Sequence, residues 1–155
     1  MNPAFASSSM TTASPFGRRA HMATAYHQIG VSTGVSEASP HKLVVMLYDG
    51  FIDAVTEARG AMRERRHEAK GRAIGRAVSI LGDGLRGGLD LQGGGALAAD
   101  LDALYGYVIL RLSMAGLKND EGILDECQNL IEPLRSAWKA ISAQAGLPMP
   151  EGAGK

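Results

Sequence analysis

One cysteine, Cys127, in 155 residues leaves no disulfide to staple this chain and no thiol pair to complete a metal site. Charge of one sign is equally absent in excess: 16 Lys and Arg balance 16 Asp and Glu. No global field therefore points to nucleic acid or to stable insertion in a membrane surface. No apolar run approaches the roughly 18 residues that a membrane span needs. Arg18-Arg19 is followed by no hydrophobic stretch, so it does not make an export signal. Nucleophile elbow, Walker sequence and paired-histidine zinc helix are all missing. These absences point away from an enzyme and from a bound cofactor, and toward a reducing, cytoplasmic setting.

What the chain does have is helical periodicity. The apolar content of 45% suits a single globular domain. Residues 1–20 are rich in Ser, Thr, Ala and Pro without apolar periodicity, and are expected to form a disordered leader that adds little stability. Residues 20–29 can make one or two helical turns, with Met22, Tyr26 and Ile29 on one side. Longer helices are expected over 40–65, 68–89, 96–117 and 121–144, each with apolar residues at threes and fours. In the third of these, the expected core series is Leu97, Leu101, Leu104, Tyr105, Val108, Leu112 and Ala115. Glycines interrupt the second helix, each costing about 1 kcal/mol relative to alanine. Pro133 is expected to bend the fourth without ending it. Short connections favour antiparallel neighbours. The fold class is thus all-α: an antiparallel up-down four-helix bundle with a short N-terminal helical element packed against it. The bundle is expected over residues 21–145, followed by a flexible tail at 146–155.

Local features mostly have bland explanations. Ser39 and Pro40 start a helix, one as a cap and the other at a position needing no amide donor. Asp49, Asp53 and Glu57 recur at fours and read as a solvated acidic face, because a di-metal site would need two Glu-x-x-His motifs on partner helices and the chain does not carry two. Cys127 lies among Ile123, Leu124, Leu130 and Ile131 at helical spacing and reads as a buried thiol. Basic residues crowd positions 59–76, placing positive charge at one end of the bundle. Tyr105 and Tyr107 cannot share a helix face, so one points to the core and the other outward. The remaining signal is surplus apolar surface. A bundle helix needs about three apolar positions in seven. Val44, Val45, Tyr48, Leu110 and Met114 extend beyond the main stripes.

Five motifs give that surplus a context: Ala25-Tyr26-His27-Gln28; the block 39–50, SPHKLVVMLYDG; the stretch 100–107, DLDALYGY; Leu117-Lys118-Asn119-Asp120; and the stretch 136–141, SAWKAI. In this order and at these spacings the chain resembles the FliS family of flagellar secretion chaperones, from about Tyr26 to Ser142. The resemblance implies an antiparallel helical bundle and a cytosolic role. It implies that the C-terminal disordered segment of flagellin is held as helices on the bundle, preventing premature polymerisation, and is delivered to the flagellar type III export gate. The expected client-binding residues are Ile29, Val44, Tyr48, Leu101, Tyr107, Leu110, Met114 and Leu117. Docking on the export-gate protein FlhA is expected through Met22 and Tyr26. The oligomeric state, monomer or homodimer, is left open. A regulatory helical module for another flagellar protein or an anti-sigma factor is the alternative reading, and a small four-helix enzyme or metal carrier a more distant one.

Overall fold

The computed structural model describes residues 15–28 and 39–144. Among the described residues five α-helices follow one another: α1 (Arg19–Gln28), α2 (Pro40–Arg63), α3 (His67–Ser79), α4 (Gly95–Lys118) and α5 (Glu121–Gln144). A π-helical segment, Ile80–Arg86, continues α3. No strand occurs among the described residues.

The helix ends are set by local chemistry. The Lys42 amide donates to Ser39 Oγ at 3.1 Å, and Pro40 occupies the first turn of α2. Arg65 and Asn119 both adopt left-handed backbone angles, closing α2 and α4 and reversing the chain. The Asp120 carboxylate then accepts the Gly122 amide at 2.8 Å and opens α5. Pro133 does not end that helix, which continues to Gln144.

Helices that lie side by side in the bundle pack antiparallel. Arg63 at the end of α2 meets Glu121 at the start of α5, and Arg135 far along α5 returns to Asp49. Lys70 in the first turn of α3 reaches the Gly116 carbonyl near the end of α4. Helices α3 and α5 each pack against both α2 and α4, which leaves α2 and α4 facing each other across the core. There the Tyr48 and Tyr105 hydroxyls hydrogen-bond at 2.5 Å, both fully buried. Leu43, Leu47, Phe51 and Val55 from α2 meet Val108 and Leu112 from α4 in the same core. Burying apolar side chains of this size stabilises by about 1.5–3 kcal/mol each, before the entropy of ordering the chain is counted. The tyrosine pair matters for a different reason: each hydroxyl satisfies the other in a place without water.

Several expectations change here. The helix foreseen over 68–89 is α-helical only to Ser79 and then widens, with the Gly87 amide donating to the Gly82 carbonyl five residues back at 2.9 Å. The glycines that weaken this stretch in isolation are contact surfaces. A Cβ on Gly87 would lie 2.3 Å from His21 Nε2, and one on Gly88 would lie 2.3 Å from Met22 Cγ, so only glycine lets α1 approach. Leu97 is exposed and Leu104 half-buried, so the expected core series of α4 holds only for its remaining members. Asp49 does not belong to a free acidic face, because Arg135 and Lys139 share it.

Packed structure also begins earlier than the expected leader boundary. Pro15 and Phe16 are buried, and the Pro15 carbonyl accepts the Asp90 amide at 2.8 Å. Phe16 meets the Trp138 ring edge-on, with centroids 5.5 Å apart, while His41 covers another part of that indole. This short strap and α1 together cover the end of the bundle where α2 begins and the π segment ends. Residues 1–14 of the expected leader and the expected tail at 146–155 lie outside the described residues.

Candidate functional site

Helix α4 is apolar on two opposite faces. Its inner face places Leu101, Tyr105, Val108, Leu112 and Ala115 in the core. The outer face should be polar in an ordinary bundle helix. Instead Ala96, Ala103, Leu110 and Leu117 follow one another at heptad spacing along it, with Ala99 and Met114 beside them. Leu110 is 59% exposed, Leu117 87% and Tyr107 45%, while Met114 is half-buried. At 1.5 Å per residue this strip runs about 30 Å along the molecule. A soluble protein rarely leaves such a continuous strip without a partner.

One edge of the strip is held in place by polar contacts with α5. Tyr107 donates its hydroxyl proton to Glu126 Oε2 at 2.5 Å, and Arg111 Nε donates to Glu126 Oε1 at 2.9 Å. Arg111 also approaches the Met114 sulfur at 3.4 Å. The Tyr107 hydrogen bond first, and then that of Arg111, hold the Glu126 carboxyl below its usual range. The same bond raises the Tyr107 hydroxyl above its ordinary value. Glu126 therefore stays ionised near neutrality and fixes the ring of Tyr107 at the border of the strip. A second apolar patch lies on α5, where Ile141 is 47% exposed beside half-buried Trp138 and Leu134.

The expected client-binding residues divide sharply. Tyr107, Leu110, Met114 and Leu117 lie together on the outer face of α4. Val44, Tyr48 and Leu101 do not, since all three are buried in the core and offer a partner no surface in this conformation. The reason is position on the helix. Val44 and Tyr48 flank the main stripe of α2, and that flank is covered in the folded chain. Met22, expected at the docking surface, is likewise fully buried against Gly88 and serves as the anchor of α1. Tyr26 falls within α1. Ile29 lies outside the described residues. Ala96, Ala99 and Ala103 were absent from the sequence-derived set, although their register with Leu110 and Leu117 is visible in the sequence.

Nothing in this arrangement suggests bond chemistry. Among the described residues no group of His, Cys, Asp and Glu side chains could hold a metal ion. Cys127 is fully buried with its sulfur 3.9 Å from the Val108 carbonyl, and burial pushes the thiol up to about 12. It is a packed thiol and not a reactive thiolate. Among the described residues no helix is long and apolar enough to cross a membrane. The basic residues of positions 59–76 do gather at one end, where Arg66, Arg72 and Arg76 surround an open cleft beside Glu57.

The described residues form an all-helical bundle with an apolar outer helix face. Comparison with known proteins then places it. The family model described as "Flagellar protein FliS" matches residues 22–145. The flagellar secretion chaperone FliS of Salmonella typhimurium is 41% identical over 121 residues, covering 78% of this chain and 90% of that protein. FliSB of Pseudomonas aeruginosa, a flagellar secretion chaperone, is 43% identical over 117 residues, covering 76% and 92%. FliS of Bacillus subtilis is 33% identical over 116 residues, covering 75% and 82%. The chain belongs to the FliS family of flagellar secretion chaperones.

Proposed function

We propose that this protein binds the C-terminal disordered segment of flagellin, keeps it from polymerising, and delivers it to the export gate. The observation that carries the reading is the apolar strip on the outer face of α4, in a chain of the flagellar secretion chaperone family. Ordering a disordered segment costs roughly 2–5 kcal/mol or more. Micromolar binding needs about 8 kcal/mol net. At about 1.5–3 kcal/mol per buried Leu-sized anchor, several anchors must be engaged together. Surface ion pairs, at about 0–1 kcal/mol each, cannot supply that. Leu110, Met114 and Leu117, with Tyr107 at the border, offer a set of the required size. A client segment would fold into a helix as it lies along α4, which is helix-in-groove recognition coupled to folding.

The test is a calorimetric titration with a flagellin fragment carrying the C-terminal segment. Leu110→Ala and Leu117→Ala should each weaken binding roughly ten- to a hundredfold. Neither should shift the denaturation midpoint appreciably, because both side chains are exposed. Full-strength binding by the double variant would overturn the reading. Delivery to the gate protein FlhA is part of the same proposal, with Tyr26 as the candidate contact. Its substitution should abolish co-purification with FlhA while leaving flagellin capture intact.

A further inference from the structure

Gly106 sits in the middle of α4, where glycine weakens a helix relative to alanine. Its backbone does not call for glycine, since Gly95 is the only glycine with a positive φ among the described residues. What calls for it is Arg86, the last residue of the π segment. A Cβ at position 106 would lie 3.2 Å from both Nη atoms of Arg86 and 3.3 Å from its Cζ. Those near-equal distances lay the flat face of the guanidinium against Gly106. Arg86 Nε donates to Asp102 Oδ1 at 2.7 Å, and this is the guanidinium's only hydrogen bond to the described residues. The donors of both Nη groups are therefore free, on a side chain that is 42% exposed.

The place of this fork is informative. Gly106 falls between Ala103 and Leu110 on the outer face of α4. Small residues, Ala96, Ala99 and Ala103, precede it on the strip, and large ones, Leu110, Met114 and Leu117, follow it. The local charge limits what can bind there. Asp102 already neutralises Arg86, and exposed Asp83 on the π segment adds a negative charge that no ion pair among the described residues offsets. A further carboxylate is disfavoured, and an uncharged acceptor fits. The carbonyls in the last turn of a helix are such acceptors, because they lack partners within the helix and carry its partial negative charge.

We propose that Arg86 fixes where a bound client helix ends, its Nη groups donating to the carbonyls left free in the helix's last turn. The inference rests on the client reading above and specifies it: the client helix lies on Leu110, Met114 and Leu117 and stops beside Gly106. Asp102 and Gly106 hold the fork before the client arrives, so little side-chain freedom is lost on binding. A helix that ran on past Gly106 would bring carbonyls already engaged within itself and would cover the fork unpaired, which disfavours it.

Calorimetric titration of the full chain with the C-terminal flagellin fragment tests this. Arg86→Met keeps an apolar stem and removes the donors, and should weaken binding about tenfold. The denaturation midpoint should change little, because an exposed ion pair contributes little. Arg86→Lys should bind almost as weakly as Arg86→Met, since an ammonium lacks the planar fork. Full rescue by lysine would reduce the role to charge alone and overturn the assignment. Gly106→Ala should favour the helix yet weaken binding, because the added methyl displaces the guanidinium. In the Arg86→Met background the same alanine should leave affinity nearly unchanged; an equal loss there would mean a direct clash with the client and would overturn the coupling. Salt identifies the acceptor. The ratio of native to Arg86→Met affinity should hold within about twofold between roughly 0.05 and 0.5 M salt. A ratio that collapses at high salt would mean a client carboxylate and would overturn the carbonyl assignment. If Leu110→Ala weakens capture and Arg86→Met does not, this inference fails and the client reading stands. A fragment that ignores the native chain overturns both.

Discussion

The two faces of α4 carry nearly the same side chains and meet different fates. Leu112 and Tyr105 are sealed in the core, while Leu110 and Tyr107, each two residues away, stand in solvent. On the inner face apolar character is answered by α2, α3 and α5. On the outer face nothing in the described chain answers it. A helix apolar all round is normally buried all round. Here the bundle supplies neighbours for only one side, and the other side is the surface proposed for a partner. The contrast separates residues that hold the fold from residues proposed to bind, and it can be broken by mutation on either face.

The largest effect should come from the inner face. Leu112→Ala removes a fully buried side chain from the centre of the bundle and should cost about 2–5 kcal/mol of stability in denaturant melts. Flagellin affinity, measured under conditions where the variant stays folded, should be nearly unchanged. Leu110→Ala should give the opposite pattern. If the two variants behave alike in both assays, the division of the helix into a structural and a binding face is wrong.

A smaller effect is expected where the strap closes the end of the bundle. Phe16→Ala should cost about 1.5–3 kcal/mol, because the ring is buried against Trp138 and lends its contact to α1 behind it. Amide exchange in α1 should accelerate more than exchange in α4. Unchanged stability and exchange would show that the strap is only laid on the surface.

Phe16 also shows where sequence reading stops. The four long helices were legible, with α5 foreseen over the range observed, because periodicity reports a buried face directly. The outer strip of α4 was half legible, through Tyr107, Leu110, Met114 and Leu117. Periodicity cannot say how far around a helix burial extends, since that depends on what else is packed there. Val44 and Tyr48 look like flanking surface for that reason and are core in the structure, while Leu101, expected both in the core series and among the client contacts, is core. Phe16 has no periodic companions in its Ser- and Pro-rich surroundings, so a single aromatic anchor left no pattern to read. Gly87 and Gly88 read as helix weaknesses because the partner that requires them, α1, is remote in sequence. The family model matches from Met22 onward, so the strap lies outside the matched residues.

The finest test concerns the hydrogen bond that joins α2 to α4 across the core. Tyr48→Phe alone leaves the Tyr105 hydroxyl without its partner in a dry interior and should cost about 1–3 kcal/mol. Replacing both tyrosines by phenylalanine removes both partners of that bond together and should cost less than the single change at pH 7, with only the Tyr48 contact to Trp138 lost. The pair also sets a pH dependence. Burial raises the Tyr48 hydroxyl from its ordinary 10.0 to about 12, with the hydrogen bonds to Tyr105 and Trp138 opposing that rise, and burial raises Tyr105 as well. A hydroxyl whose folded value lies above its unfolded value stays neutral in both states below pH 10. Its contribution is therefore fully present there. Above pH 10 the unfolded chain ionises first and draws the equilibrium toward unfolding, so stability falls as pH rises toward 12. Cys127, raised to about 12 from 9.0, adds to the same fall from a slightly lower pH. Denaturant melts at pH 8, 10 and 11 should show a clear decline in the native chain and a shallower one in the double phenylalanine variant, with the cysteine part remaining. Equal declines would mean that the tyrosine pair is open to water, and that the inner face of α4 is less tightly closed than its contrast with the outer face requires.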